Sequence, residues 1–230
     1  MRDGDYINMQ SELAEVIIIY ATKSHKDLNN LLLDKSKDQL IALLTSLLTI
    51  YINDRNSSTI REYVTVSMAG YTHIDKKIGY NGFKQGTAIG GKPLYCEAKP
   101  QNINTENNKV IKHPRKLNGG GNFTDYTHNR LQKDKSENPN MLVSGFVDGE
   151  LIYILEFPFN HKTFVVNLNK QLKRHFPDGD ESGRFLRSAN FDFNDYSDCP
   201  TLKVVYLSKA NLEKTKDNFN HKFYDFLKQL

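Results

Sequence analysis

The chain has no tryptophan, and among its 230 residues only two cysteines and seven prolines. Cys96 and Cys199 are too few and too far apart for a disulfide framework, and neither belongs to a Cys-x-x-Cys or Cys/His cluster of zinc spacing. A reducing compartment is therefore expected. No apolar stretch is long enough to span a bilayer, and Met1-Arg2-Asp3-Gly4-Asp5-Tyr6 contains no basic segment leading into an apolar signal region, so a cytoplasmic location away from membranes is expected. The chain lacks a Gly-x-x-x-x-Gly-Lys-Ser/Thr loop, which argues against an NTPase. No His-x-x-x-His or His-Asn-His spacing organises His73, His113, His128, His161 and His175 into a histidine-metal nuclease site. A strong excess of one charge is also missing. A net charge of +4 and a pI near 8.8 permit a nucleic-acid partner without requiring one. The densest basic segments are 109 to 116 and 170 to 175.

What is present suits one domain of mixed class, because 230 residues support a single sizeable core and no linker or internal repeat divides them. Residues 1–70 read as mainly helical. Ser11-Glu12-Leu13-Ala14-Glu15 opens one helix, Leu40 to Ile52 places apolar residues on a wide helical stripe, and a third helix is expected from a Ser57/Ser58 cap. Val16 to Ile19 is β-branched and is also compatible with a short strand. Residues 71–207 read as a sheet core: a strand over Pro93–Cys96, a hairpin with arms Met141–Val147 and Leu151–Phe157 joined at Asp148-Gly149, and a strand over Leu202–Leu207. Residues 101 to 122, polar and ending in Asn118-Gly119-Gly120-Gly121-Asn122, are expected to form a mobile surface loop. A helix over 162 to 175 is plausible, and Ser208 is expected to cap one final amphipathic helix through 230. The resulting fold class is α/β (α+β), a central mixed sheet flanked by helices.

The chemistry-bearing feature is Glu97-Ala98-Lys99, which closes the apolar run Pro93-Leu94-Tyr95-Cys96. On a strand, side chains two apart project from one face roughly 7 Å from each other, so Glu97 and Lys99 share a site. A carboxylate can hold a hard divalent cation and a neighbouring ammonium can polarise water or a phosphate oxygen, which suits metal-assisted phosphodiester hydrolysis. Such a site needs further oxygen ligands. Upstream, Asp75 is separated from Glu97 by twenty-one residues, and Asn81 in Gly79-Tyr80-Asn81-Gly82 by fifteen.

In these segments the chain resembles the PD-(D/E)xK nuclease superfamily, and within it the type II restriction endonucleases. The family pattern is an acidic residue in a turn, then roughly ten to thirty residues, then a strand ending in Asp/Glu-x-Lys. The departure is Asn81, where the family has aspartate. Three readings follow: a replaced metal-binding aspartate, an amide oxygen that still ligates, or Asp75 as the true carboxylate with Asn-Gly a type I′ turn. Position 81 fits the glycine context best.

The resemblance implies a restriction-endonuclease-like core with a helical N-terminal region, catalysis by position 81, Glu97 and Lys99, and Mg²⁺ held by Glu97, Asn81 or Asp75, and the Ala98 carbonyl. It implies a homodimer cutting a palindromic double-stranded DNA sequence, with a cognate DNA methyltransferase in the same cell. A repair or phage endonuclease of the same fold, or a non-catalytic DNA-binding protein, are the alternatives. Family members often carry a helix-borne glutamate near the metal, which gives Glu62 a role by resemblance, although glutamate as a residue type predicts a surface position. Lys112, Arg115 and Lys116 are candidates for phosphate contacts. Asn122, Thr124, Tyr126, Thr127, His128, Asn129 and Arg130, after the glycine run, are candidates for base contacts, as are Arg184, Arg187 and Asn190.

Overall fold

The structure, a computed structural model, describes residues 11–53, 58–74, 79–86 and 91–230. The order of elements is α1 (Ser11–Thr22), α2 (His25–Leu33), α3 (Lys37–Asn53), α4 (Thr59–Met68), β1 (Thr72–His73), β2 (Gly82–Lys84), β3 (Leu94–Ile103), α5 (Thr105–Lys109), β4 (Gly121–Tyr126), α6 (His128–Glu137), β5 (Asn140–Val147), β6 (Glu150–Pro158), α7 (Lys162–His175), β7 (Leu186–Phe191), β8 (Lys203–Leu207), α8 (Lys209–Lys214) and α9 (His221–Gln229). Six strands form a mixed sheet in the order β1-β2-β3-β5-β6-β8, with β3 and β5 parallel and the other pairs antiparallel. A parallel pair needs a crossover, and here the connection from β3 to β5 carries α5, β4 and α6. β4 leaves the main sheet and pairs with β7 as a separate antiparallel ribbon.

The mixed sheet and its helical flanks match the fold class expected from sequence. Val16 to Ile19 lies in helix α1, because the i, i+4, i+8 spacing of Leu13, Ile17 and Ala21 puts them on one face that packs with Val64, Phe146, Leu151 and Ile154. The hairpin turns at Asp148 and Gly149, which both take positive φ (49° and 86°), as a two-residue turn matching the strand twist requires. β6 reads as a continuous apolar run because both of its faces are covered: α1 and α4 on one side, and on the other an aromatic cluster including Phe157, Phe164, Phe191, Tyr196 and Phe223.

Three expectations are corrected. Residues 101 to 122 do not form one mobile loop: β3 runs on to Ile103, α5 follows, and Leu117, Gly119 and Gly120 are buried. The glycines serve close packing, since a Cβ on Gly120 would lie 2.3 Å from the Phe191 carbonyl oxygen and one on Gly121 2.8 Å from Lys99 Cβ. The C-terminal helix is two helices. Ser208 caps α8 by accepting from the Asn211 amide, and Asn220 caps α9 by accepting from the amides of Lys222 and Phe223. Ser58 precedes α4 without a side-chain capping bond, and Ser57 lies outside the described residues.

Candidate active site

β3 positions the central pair. Its register with β5 sets Glu97 opposite Met141 and Lys99 opposite Val143, both members of the aromatic-side core, so these two side chains project toward β4 and α6. Cys96 and Ala98 face α4 instead, with Val66, Ala69 and Tyr71. Lys99 Nζ lies 2.7 Å from Glu97 Oε1 and 4.8 Å from the centroid of the Phe123 ring, which adds a cation–π contact. Glu97 is buried, and its Oε2 has no hydrogen-bond partner among the described residues.

Asn81 sits where β2 begins. Beyond Cys96 the register with β2 ends, and the backbone amide of Ala98 donates 2.8 Å to Asn81 Oδ1, so a side chain continues the ladder. Pro100, two residues on and pointing its ring nitrogen to the same edge, has no N–H to satisfy there. The other end of the amide, Asn81 Nδ2, donates to Glu62 Oε2 at 3.1 Å. These two partners, a donor and a carboxylate, fix the orientation of the amide. Asn81 does not take positive φ, which excludes the type I′ turn that Asn-Gly suggested.

Glu62 is therefore half-buried rather than a surface residue. It stands in the first turn of α4, which is fixed on the sheet by the buried Val64 and Val66 and by a buried 2.6 Å hydrogen bond between the hydroxyls of Thr65 and Ser144. Asp75 lies outside the described residues.

Glu62, Ala98, Lys99 and Pro100 border a cleft of about 690 Å³, and Asn81 and Glu97 stand behind its lining. Glu62, Lys99 and Gln101 form one wall and the outer face of the β4–β7 ribbon the other, with Asn118, Gly120 and Gly121 joining them. On the ribbon, Phe123 pairs with Ala189 and both are buried, whereas the pairs Asn122–Asn190 and Thr124–Ser188 turn outward. Asn122 Nδ2 donates to Ser188 Oγ, and Ser188 Oγ donates to Asn190 Oδ1. Asn122, Thr124 and Asn190, candidates for base contacts from sequence, stand on the cleft. Gln101 and Asn118, hydrogen-bonded to each other at 2.6 Å, were not singled out from sequence. Gln101 was within reach, since it follows Lys99 by two residues on a strand.

Other candidates are placed elsewhere. Tyr126 is fully buried and its hydroxyl donates to Asp134, so it is removed from the set of base contacts. Thr127 caps α6 by accepting from the Arg130 amide; the amides of His128 and Asn129 donate to Asp180, and His128 Nε2 lies 3.1 Å from the Phe176 carbonyl oxygen. Arg130 is paired with the buried Asp134. These four residues build the start of a helix, because Asp180 and Thr127 supply the acceptors its first amides need. Arg184 is engaged by Glu181, and Lys116 donates to the Asp217 carbonyl oxygen. Lys112, Arg115 and Arg187 are exposed, Arg187 beside Asp125 at 3.2 Å.

Asp134 joins the site to the core, since it also accepts from Tyr80, the neighbour of Asn81, at 3.1 Å. Burial pushes its carboxyl above the usual 3.8, against the opposing pull of Arg130. A raised carboxyl binds its proton more readily when folded, so this contribution to stability is complete below the ordinary aspartate value and is lost as pH rises above it. In urea unfolding across a pH series, the stability difference between the chain and Asp134→Asn is expected to shift against the chain as pH rises above 3.8; a difference constant with pH refutes the assignment.

Among the described residues, no group of three or more His, Cys, Asp or Glu side chains comes together to hold a metal ion, and no helix is long and apolar enough to cross a membrane. No protein-family model matches this chain, and no curated protein matches it.

Proposed function

We propose that the cleft belongs to a Mg²⁺-dependent endonuclease acting on double-stranded DNA, of the type II restriction kind. The observation that carries this reading is the joining of Glu62, Asn81, Ala98, Glu97 and Lys99 midway along β3, where its pairing with β2 stops, with Lys99 and Glu62 both on the cleft. The oxygen types suit a hard cation: Glu97 Oε2 is a buried carboxylate oxygen without a hydrogen-bond partner among the described residues, and the Glu62 carboxylate and Asn81 Oδ1, which also accepts from Ala98, are oxygens of the class Mg²⁺ takes. When bound, Mg²⁺ supplies charge neutralisation at the phosphate and an activated water.

The chain's own groups do the rest. Lys99, held by Glu97 and by the ring of Phe123, presents an ammonium at the cleft where negative charge grows on a phosphoryl oxygen. Asn81 fixes the Glu62 carboxylate relative to β3 through one amide. The outward ribbon offers amides and hydroxyls, the groups that read base edges, and a two-stranded ribbon fits the major groove. Asn190→Ala is expected to relax preference at one or two base pairs, at about 1–3 kcal/mol each, in selections from a random duplex library.

A second reading has its own observation. Both carboxylates already have partners, Glu97 the Lys99 ammonium and Glu62 a hydrogen bond from the Asn81 amide, so the arrangement is held together without a cation, as in a non-catalytic duplex-binding protein. Incubating the protein and Asn81→Asp with phage DNA and Mg²⁺, followed by end mapping, separates the readings. Discrete fragments support the endonuclease. Duplex binding without cutting by either form supports the second reading, and neither binding nor cutting removes both.

A further inference from the structure

Helix α3 carries an apolar stripe on the side away from the core. Leu40, Ile41, Leu44, Leu47, Leu48 and Tyr51 are all exposed, Leu44 by 56% and Tyr51 by 66%. At the helical repeat these six fall within roughly 120° of the circumference. Among the described side chains of this helix Leu43 alone is buried, with Ile50 partly buried against the same core. The opposite flank holds Gln39, Thr45, Ser46 and Thr49. An amphipathic helix whose apolar flank points to solvent is the reverse of ordinary surface patterning.

We propose that this stripe is a self-association face, with α3 of one copy packed on α3 of a second across a twofold axis. The area supports this occupant. The six side chains expose on the order of 600 Å², the upper end for an apolar patch on a monomer, and two copies that bury these side chains fully reach about 1,200 Å², where specific interfaces begin. Charge supports it as well. Between Asp38 and Asn53 the helix has no charged residue, so an isologous contact brings no like charges together. Residues 1–10 carry Arg2, Asp3 and Asp5 beside four apolar side chains, Met1, Tyr6, Ile7 and Met9, fewer than the six of the stripe. The inference does not depend on nuclease activity.

Sedimentation of the full chain at concentrations up to about 100 μM is expected to show a monomer–dimer equilibrium. Leu44→Glu with Leu48→Glu is expected to weaken it by at least about 100-fold, because each copy would bring two charges into an apolar seam. Far-UV circular dichroism checks that the variant folds, and if it does not, Leu44→Ser with Leu48→Ser is read by the same measurement. A chain monomeric at the highest concentration, or a dimer that survives a folded variant, overturns the proposal.

Discussion

Asn81→Asp is expected to make the folded state dependent on a divalent cation. In the present chain Asn81 Nδ2 donates to Glu62 Oε2 at 3.1 Å. Aspartate cannot donate there when ionised, and it places a second carboxylate at that distance, so a hydrogen bond becomes a repulsion. The cost is about 2 kcal/mol, or roughly 4–8 °C in melting temperature for a domain of this size. A divalent cation held by Glu62 and an aspartate at position 81 would offset their like charges, so the loss seen in EDTA is expected to be recovered in Mg²⁺, while the parent chain responds weakly. Differential scanning calorimetry of both proteins, with and without the cation, reads the effect directly. If this position is also the family's metal position, cleavage rises with the same substitution. Equal melting of the two proteins in EDTA and Mg²⁺ would remove Asn81 and Glu62 from any cation site.

Lys99→Ala carries the second large effect. Glu97 is buried, its Oε2 has no partner, and Lys99 supplies the only hydrogen bond to Oε1 among those seen. Removing the ammonium leaves a buried carboxylate uncompensated, at a cost of about 3 kcal/mol or more, roughly 6–12 °C in melting temperature. The double substitution Glu97→Gln with Lys99→Met is expected to restore most of this stability, since it removes both charges and keeps their volume. Activity separates the structural role from the chemical one. The stable double variant is expected to cut no DNA at all, and cleavage surviving in it would show that the pair only holds the fold.

The reach of the sequence is clearest at β3. Glu97 and Lys99 could be assigned to one face from the period of two alone, because strand alternation is a backbone property that needs no neighbour. Asn81 could be picked out by its glycine context, but not its role. Its amide has no hairpin turn to make, and its two partners, Ala98 and Glu62, lie 17 and 19 residues away. Glu62 illustrates the same limit, since residue type predicts exposure and only the packing of α4 on β5 brings it to the cleft.

The glycine run and the segment after it show where local reasoning fails. Gly119, Gly120 and Gly121 look like a flexible approach when read as composition. In the fold they are the places where backbone passes against Phe191, Tyr196 and Lys99. Tyr126, His128 and Arg130 have the polar atoms of a recognition loop, yet the ribbon and α6 direct those atoms to Asp134 and the Phe176 carbonyl.

By itself, the sequence determined the helical N-terminal region, the β5–β6 hairpin, the mixed class and the shared face of Glu97 and Lys99, because periodicity, turn chemistry and strand alternation act over a few residues. Tertiary structure alone decided which amides line the cleft, that Asn81 bridges β3 to Glu62, that β4 leaves the main sheet to pair with β7, and that the apolar flank of α3 stays in solvent. Those outcomes depend on contacts between residues far apart in the chain, where the partner of a polar or apolar side chain is fixed by packing and not by its neighbours in sequence.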